Sequence, residues 1–181
     1  MIRAPAARAL LAASLAAVSF AAVSIAGVPL AATAQTPSPM PHASYPPLRS
    51  IHIPVSAQAL AGLPRRTIAV TEEHGGTVTY SGVDLGAVLA RAGAPSGKTV
   101  GGPALAAYVL VRASDGYRAV FALPELDPGF TDRVVLLADQ RDGAPLPAQL
   151  GPYRIVVAGE KRAARWVRNV TEIDFEPLPL P

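Results

Sequence analysis

Four cations stand close together near the C-terminal end of the chain: Arg154, Lys161, Arg162 and Arg165. They flank Gly159, between a strand-like run and the only tryptophan, Trp166. Guanidinium and ammonium groups gathered at one strand end and a glycine-containing loop suit a phosphate or carboxylate. An arginine offers a bidentate fork there and a lysine a point charge. The competing reading is a solvated basic face balanced by Glu160, Asp174 and Glu176. These four are the candidate binding residues, and the sequence offers no catalytic set beside them.

Other chemistries find less support. Glu72, Glu73 and His74 form the densest acid/base cluster. Two glycines follow directly, so a solvated hairpin turn is the expectation, with a loop-borne site as the alternative. No G-x-S-x-G elbow is present, and the nearest serines fall in turns. The chain has no cysteine and three histidines, which removes thiolate ligands and makes a multi-histidine metal site improbable. No metal ligand set is therefore assigned. Arg112, Asp115 and Arg118 are expected to form cross-strand ion pairs, and Trp166 is expected in the core with its N–H satisfied.

The N-terminus has the composition of an export signal. Arg3 and Arg8 precede an apolar stretch from Ala9 to Leu30, and Ala32-Thr33-Ala34 offers small residues at the two positions a signal peptidase reads. Residues 1–34 are expected to be cleaved. The stretch is long enough to span a bilayer as a permanent anchor, but the small-residue site and the polar segment after it favour cleavage and no stable membrane insertion. No Arg-Arg pair precedes the apolar run, so the general secretory route is expected, with a periplasmic or secreted product. Loss of Arg3 and Arg8 brings the net charge near +1, too weak a basic field for a nucleic-acid partner.

The elements that must position the cations follow from periodicity. Residues 35–47 are Pro/Ser-rich and form an extended leader; a single domain is expected over 48–181. Ile51 and Ile53 alternate about His52 as a short strand, and Ser56 caps a short helix ending at Gly62. Residues 66–71 and 77–81 form a hairpin. Leu85, Val88, Leu89 and Ala92 fall on one helical face, opened by Asp84 and closed by Gly93. Strands follow at 107–112 and 117–121 about Ser114-Asp115-Gly116, and a helical turn opens at Pro124. The continuous apolar run 134–138 suits a strand buried on both faces. Strands at 153–157 and 170–175 enclose the basic stretch 159–166. The fold class is α+β, with mixed β-sheets and a few short helices.

Four stretches in this order, YSGVDLGAVLARAG (80–93), SDGYRAVF (114–121), DRVVLLADQRDGAPL (132–146) and GPYRIVVAGEKRAARWVRNVTEIDF (151–175), carry a resemblance. Together they are similar to the molybdopterin-binding oxidoreductase domain of the sulfite oxidase family. The resemblance implies a pterin whose dithiolene holds molybdenum, with a protein cysteine as a further ligand. It places that cysteine on the segment 68–83, where none is present. It also implies cofactor insertion before export, which a general secretory signal does not permit. The basic loop matches the family's phosphate-handling stretch, so Arg154, Lys161, Arg162 and Arg165 are the residues expected to meet an anionic group. The expected function is an exported, cofactor-free family domain that binds a small anion or an exported protein partner. The alternative is a molybdopterin-dependent oxidoreductase without the cysteine ligand.

Overall fold

The computed structural model describes residues 47–72 and 75–178. The expected signal segment, most of the expected leader, Glu73, His74 and residues 179–181 lie outside the described residues. The described chain builds two antiparallel sheets. One has the order β1 (Ile51–Pro54), β9 (Val170–Glu176), β4 (Tyr108–Ala113), β5 (Arg118–Ala122). The other runs β2 (Arg65–Thr71), β3 (Thr77–Asp84), β6 (Val135–Arg141), with β7 (Ala144–Pro145) and β8 (Arg154–Val157) both pairing with β6. The helices are α1 (Ala57–Leu60) and α2 (Leu85–Arg91), with short 3-10 turns between elements. The expected α+β class, with few short helices, is the one observed. None of the helices among the described residues is long and apolar enough to cross a membrane.

Alternation sets the first sheet. Ile53, Ile173, Val111 and Ala119 lie in one row across its four strands, and Phe175, Val109 and Phe121 lie in the next, all buried. Period-2 side chains put these on one face, where they meet the core. In the second sheet the run Val135–Ala138 is buried throughout, in keeping with its unbroken apolar character, as a central strand between β3 and β8 with α2 packed against it. α2 buries Leu85, Val88 and Leu89. The Asp84 carboxylate accepts from the Gly86 backbone N–H at 3.0 Å, which caps the helix directly at the end of β3.

Gly82 is required by a close backbone approach rather than by its dihedrals. A Cβ there would lie 2.1 Å from the Leu137 carbonyl oxygen, at a register shift between β3 and β6.

The outward face of the first sheet corrects one expectation. Arg112 faces Arg118 in the β4–β5 register, so it turns to β9 instead. Its Nε donates to Asp174 Oδ2 at 2.7 Å and lies 3.9 Å from Glu172. Asp115 makes no cross-strand pair; it accepts from the Tyr117 backbone N–H at 2.9 Å and shapes the turn. His52 Nδ1 lies 2.6 Å from Asp174 Oδ1. His52, Glu172 and Asp174 thus form a cluster of metal-capable groups, with the Arg112 guanidinium already inside it.

Two outcomes test this packing. Gly82→Ala is expected to lower stability by ~2 kcal/mol or more, read as a fall in the denaturation midpoint. The hydrogen bond to Asp174 raises the His52 pKa above 6.5. Burial pushes Asp174 up, but hydrogen bonds from Arg112 and His52 outweigh it and leave its carboxyl below the usual value. The His52 contribution is therefore complete below pH 6.5 and lost as pH rises through the elevated pKa; the Asp174 contribution is lost only on strong acidification. His52→Gln should flatten the stability-versus-pH curve above about pH 6.5 and leave the acid limb in place.

Candidate binding cleft

A half-open cleft of about 910 Å³ lies where the ends of both sheets meet. The β2–β3 hairpin supplies Thr71, Glu72 and Gly75, and the β4–β5 turn supplies Asp115 and Tyr117. Arg141 at the end of β6 and Arg154 at the start of β8 reach it from the central strands. The loop after β8 closes it with Glu160, Lys161, Trp166 and Arg168.

Arg154 is the centre of the wall, only 9% exposed. Its Nη1 donates to the Tyr80 hydroxyl oxygen at 2.7 Å, and Tyr80 donates onward to Glu72 Oε1 at 2.6 Å. Arg154 Nη1 also lies 3.6 Å from that carboxylate oxygen. Arg141 donates to the other oxygen, Glu72 Oε2, at 2.9 Å. The Arg154 guanidinium carbon stands 5.5 Å from the Tyr80 ring centre and 5.3 Å from that of Trp166, and the two rings meet edge to face. Burial and the hydrogen bond to Glu72 push the Tyr80 phenol up to about 12, so it stays protonated and keeps donating.

The four candidate cations separate into different surroundings. Arg154 and Lys161 line the cleft. Arg162 is exposed and outside the lining. Arg165 is held within the protein: Nε donates to Glu160 Oε1 at 2.7 Å, Nη1 to Glu125 Oε1 at 2.9 Å, and the group stacks 4.6 Å from the Phe121 ring centre. Glu72, expected as a solvated turn residue with a loop-borne site as the alternative, is instead the anchor of Arg154 and Arg141, and Tyr80, eight residues on in the facing strand, carries the contact. Arg141 and Arg168 also line the cleft, and neither stands out in the sequence. Trp166 is buried as expected, yet its Nε1–H has no partner, contrary to the expectation of a satisfied indole.

Two antiparallel sheets converging on a cationic cleft form the frame of a ligand-binding α+β domain. Residues 56–179 match the model of the oxidoreductase molybdopterin binding domain, and the chain belongs to that family, as the resemblance implied. No curated protein matches the chain.

The cleft meets the demands of molybdopterin unevenly. Arg154, Lys161 and Arg168 suit an anionic group. The metal end does not fit: the 68–83 segment brings Thr71, Glu72 and Gly75 to the cleft, and the chain has no cysteine thiolate to offer. Glu72, the one carboxylate that this segment brings to the cleft among the described residues, is already shared by Tyr80, Arg141 and Arg154. A hard oxygen so engaged is no replacement for a thiolate.

Tyr80→Phe removes the bridge between Arg154 and Glu72 and leaves both short of a partner. The expected loss is about 2 kcal/mol of unfolding free energy in urea, with a shifted Trp166 emission.

Proposed function

We propose that this chain is an exported member of its family that works without a molybdenum centre, as a ligand- or partner-binding accessory module in the periplasm or outside the cell. The absence of cysteine carries this reading, together with the engaged Glu72 on the segment where the family's metal ligand is expected. The N-terminal pattern of Arg3, Arg8, the apolar stretch and Ala32-Thr33-Ala34 supports export by the general secretory route. Cleavage after Ala34 would leave no membrane-inserted segment. The near-neutral mature charge speaks against nucleic acid.

In this reading Arg154 and Lys161 meet a small anion or an acidic group of an exported protein. Arg154 presents a guanidinium already oriented by Tyr80 and Trp166, so little is lost in ordering it on binding. Lys161 supplies charge from the loop, and the exposed Arg162 adds to the same field. Arg165 acts one step back, by holding Glu160 in the wall.

A second reading keeps the family's cofactor: a molybdopterin-dependent oxidoreductase without the cysteine ligand. The family match over 56–179 and the cationic cleft favour it. Elemental and pterin analysis of protein taken from the exported fraction of its own host separates the two. The expected result is a chain beginning at Gln35 with neither molybdenum nor pterin in stoichiometric amount, and weaker anion binding in Lys161→Ala. Near one molybdenum and one pterin per chain would overturn the accessory reading.

A further inference from the structure

Among the described residues, four buried side-chain polar atoms have no hydrogen-bond partner: Arg141 Nε, Arg154 Nε, Glu160 Oε2 and Trp166 Nε1. All four belong to residues lining the cleft. Buried donors and acceptors left unpaired are rare and costly, so their confinement to one cavity points to a missing partner there. Arg154 and Trp166 are each more than nine-tenths buried.

The unpaired atoms carry opposite charge demands. On one side the single carboxylate of Glu72 is shared by two guanidiniums, Arg141 and Arg154. Arg141 also lies 4.0 Å from Asp142, but that carboxylate is mostly exposed and shared with the Thr79 backbone N–H. Arg154 is thus the under-neutralised cation; it lies over the ring of Trp166, whose indole N–H is also unpaired, and Lys161 and Arg168 are on the same lining. On the other side the stoichiometry is reversed. The single guanidinium of Arg165 is shared by two carboxylates, Glu125 and Glu160. Both of its contacts to Glu160 go to Oε1, which leaves Oε2 in the cleft wall as an acceptor with residual negative charge.

We infer that the cleft takes a zwitterion: a molecule with a carboxylate at one end, for Arg154 Nε and Trp166 Nε1, and an ammonium at the other, for Glu160 Oε2. Amino acids and short peptides are the chemical class that carries both groups. A plain anion satisfies the first wall and leaves the Glu160 acceptor facing it, where like charges repel. A cleft of about 910 Å³ also exceeds what a lone oxyanion fills. This inference rests on the accessory-module reading and specifies its ligand.

Trp166, the only tryptophan, reports on the site by its emission. Alanine, γ-aminobutyrate and dialanine, which separate the two charges by increasing lengths, are titrated into the mature protein beside their N-acetyl and C-amide derivatives. Fluorescence and calorimetry are read together. The expected result is that at least one zwitterion binds and that either capping weakens it by about tenfold or more, the effect of one lost charge-assisted hydrogen bond. Glu160→Gln should abolish the penalty for N-acetylation. Glu125→Gln removes the other partner of Arg165 from outside the lining and should keep that penalty, which separates ligand contact from loop stability. If N-acetylated ligands bind as tightly as their parents, the zwitterion inference fails while anion binding at the cleft stands. If neither zwitterions nor simple carboxylates bind, both fail.

Discussion

Taking the Arg154 guanidinium out of water costs several kcal/mol unless its charge and its donors are met. That constraint organises the far end of the second sheet. Glu72 must leave the solvent to face it, Tyr80 must bridge them, and Trp166 must cover the group with its ring. Arg141 then shares the carboxylate that Arg154 needs. Removing one member exposes the others to an uncompensated charge in a low-dielectric setting, which makes the set cooperative. The β2–β3 hairpin end is therefore fastened to β8 although β6 lies between them in the sheet.

The same arrangement shows how the family's frame holds together in a chain that has no cysteine. The cationic wall is built from strand ends and the loop after β8, which the core holds in place whatever occupies the cleft. Glu72, at the end of the hairpin, has a structural task in this chain: it neutralises the two buried or half-buried cations Arg141 and Arg154.

Much of the fold was legible because periodicity is a local signal. The apolar run of β6, the alternation of β9 and the helical face of α2 each declare themselves within a few residues, and the observed elements differ mainly at their ends. β3 extends to Asp84 because the residue that caps α2 also closes the strand. The site was less legible because its decisive pairs are remote in sequence. Arg165 beside Glu160 reads as a basic loop until Glu125, forty residues away, is seen to claim the same guanidinium. Arg112 seemed destined for its hairpin neighbours, yet β9 lies against it and supplies Asp174. Glu72 sits in a segment with turn composition, and only the register with Tyr80 and the burial of Arg154 give it a role. Charge patterning along the chain shows which groups are present, not how many partners each must share.

The first sheet has a further property in its strand order. β1 is the first strand of the described chain and β9 the last, yet they are neighbours, and β9 separates β1 from the β4–β5 hairpin. His52 and Asp174, 122 residues apart in sequence, meet across that seam. Such a sheet has high contact order: β4 and β5 can pair early, while β1 has nothing to join until the final strand is available. Closure of this sheet therefore waits on the very last strand, whatever order the rest of the domain folds in. The two ends of the domain are joined by one seam, so neither can be trimmed without opening the sheet.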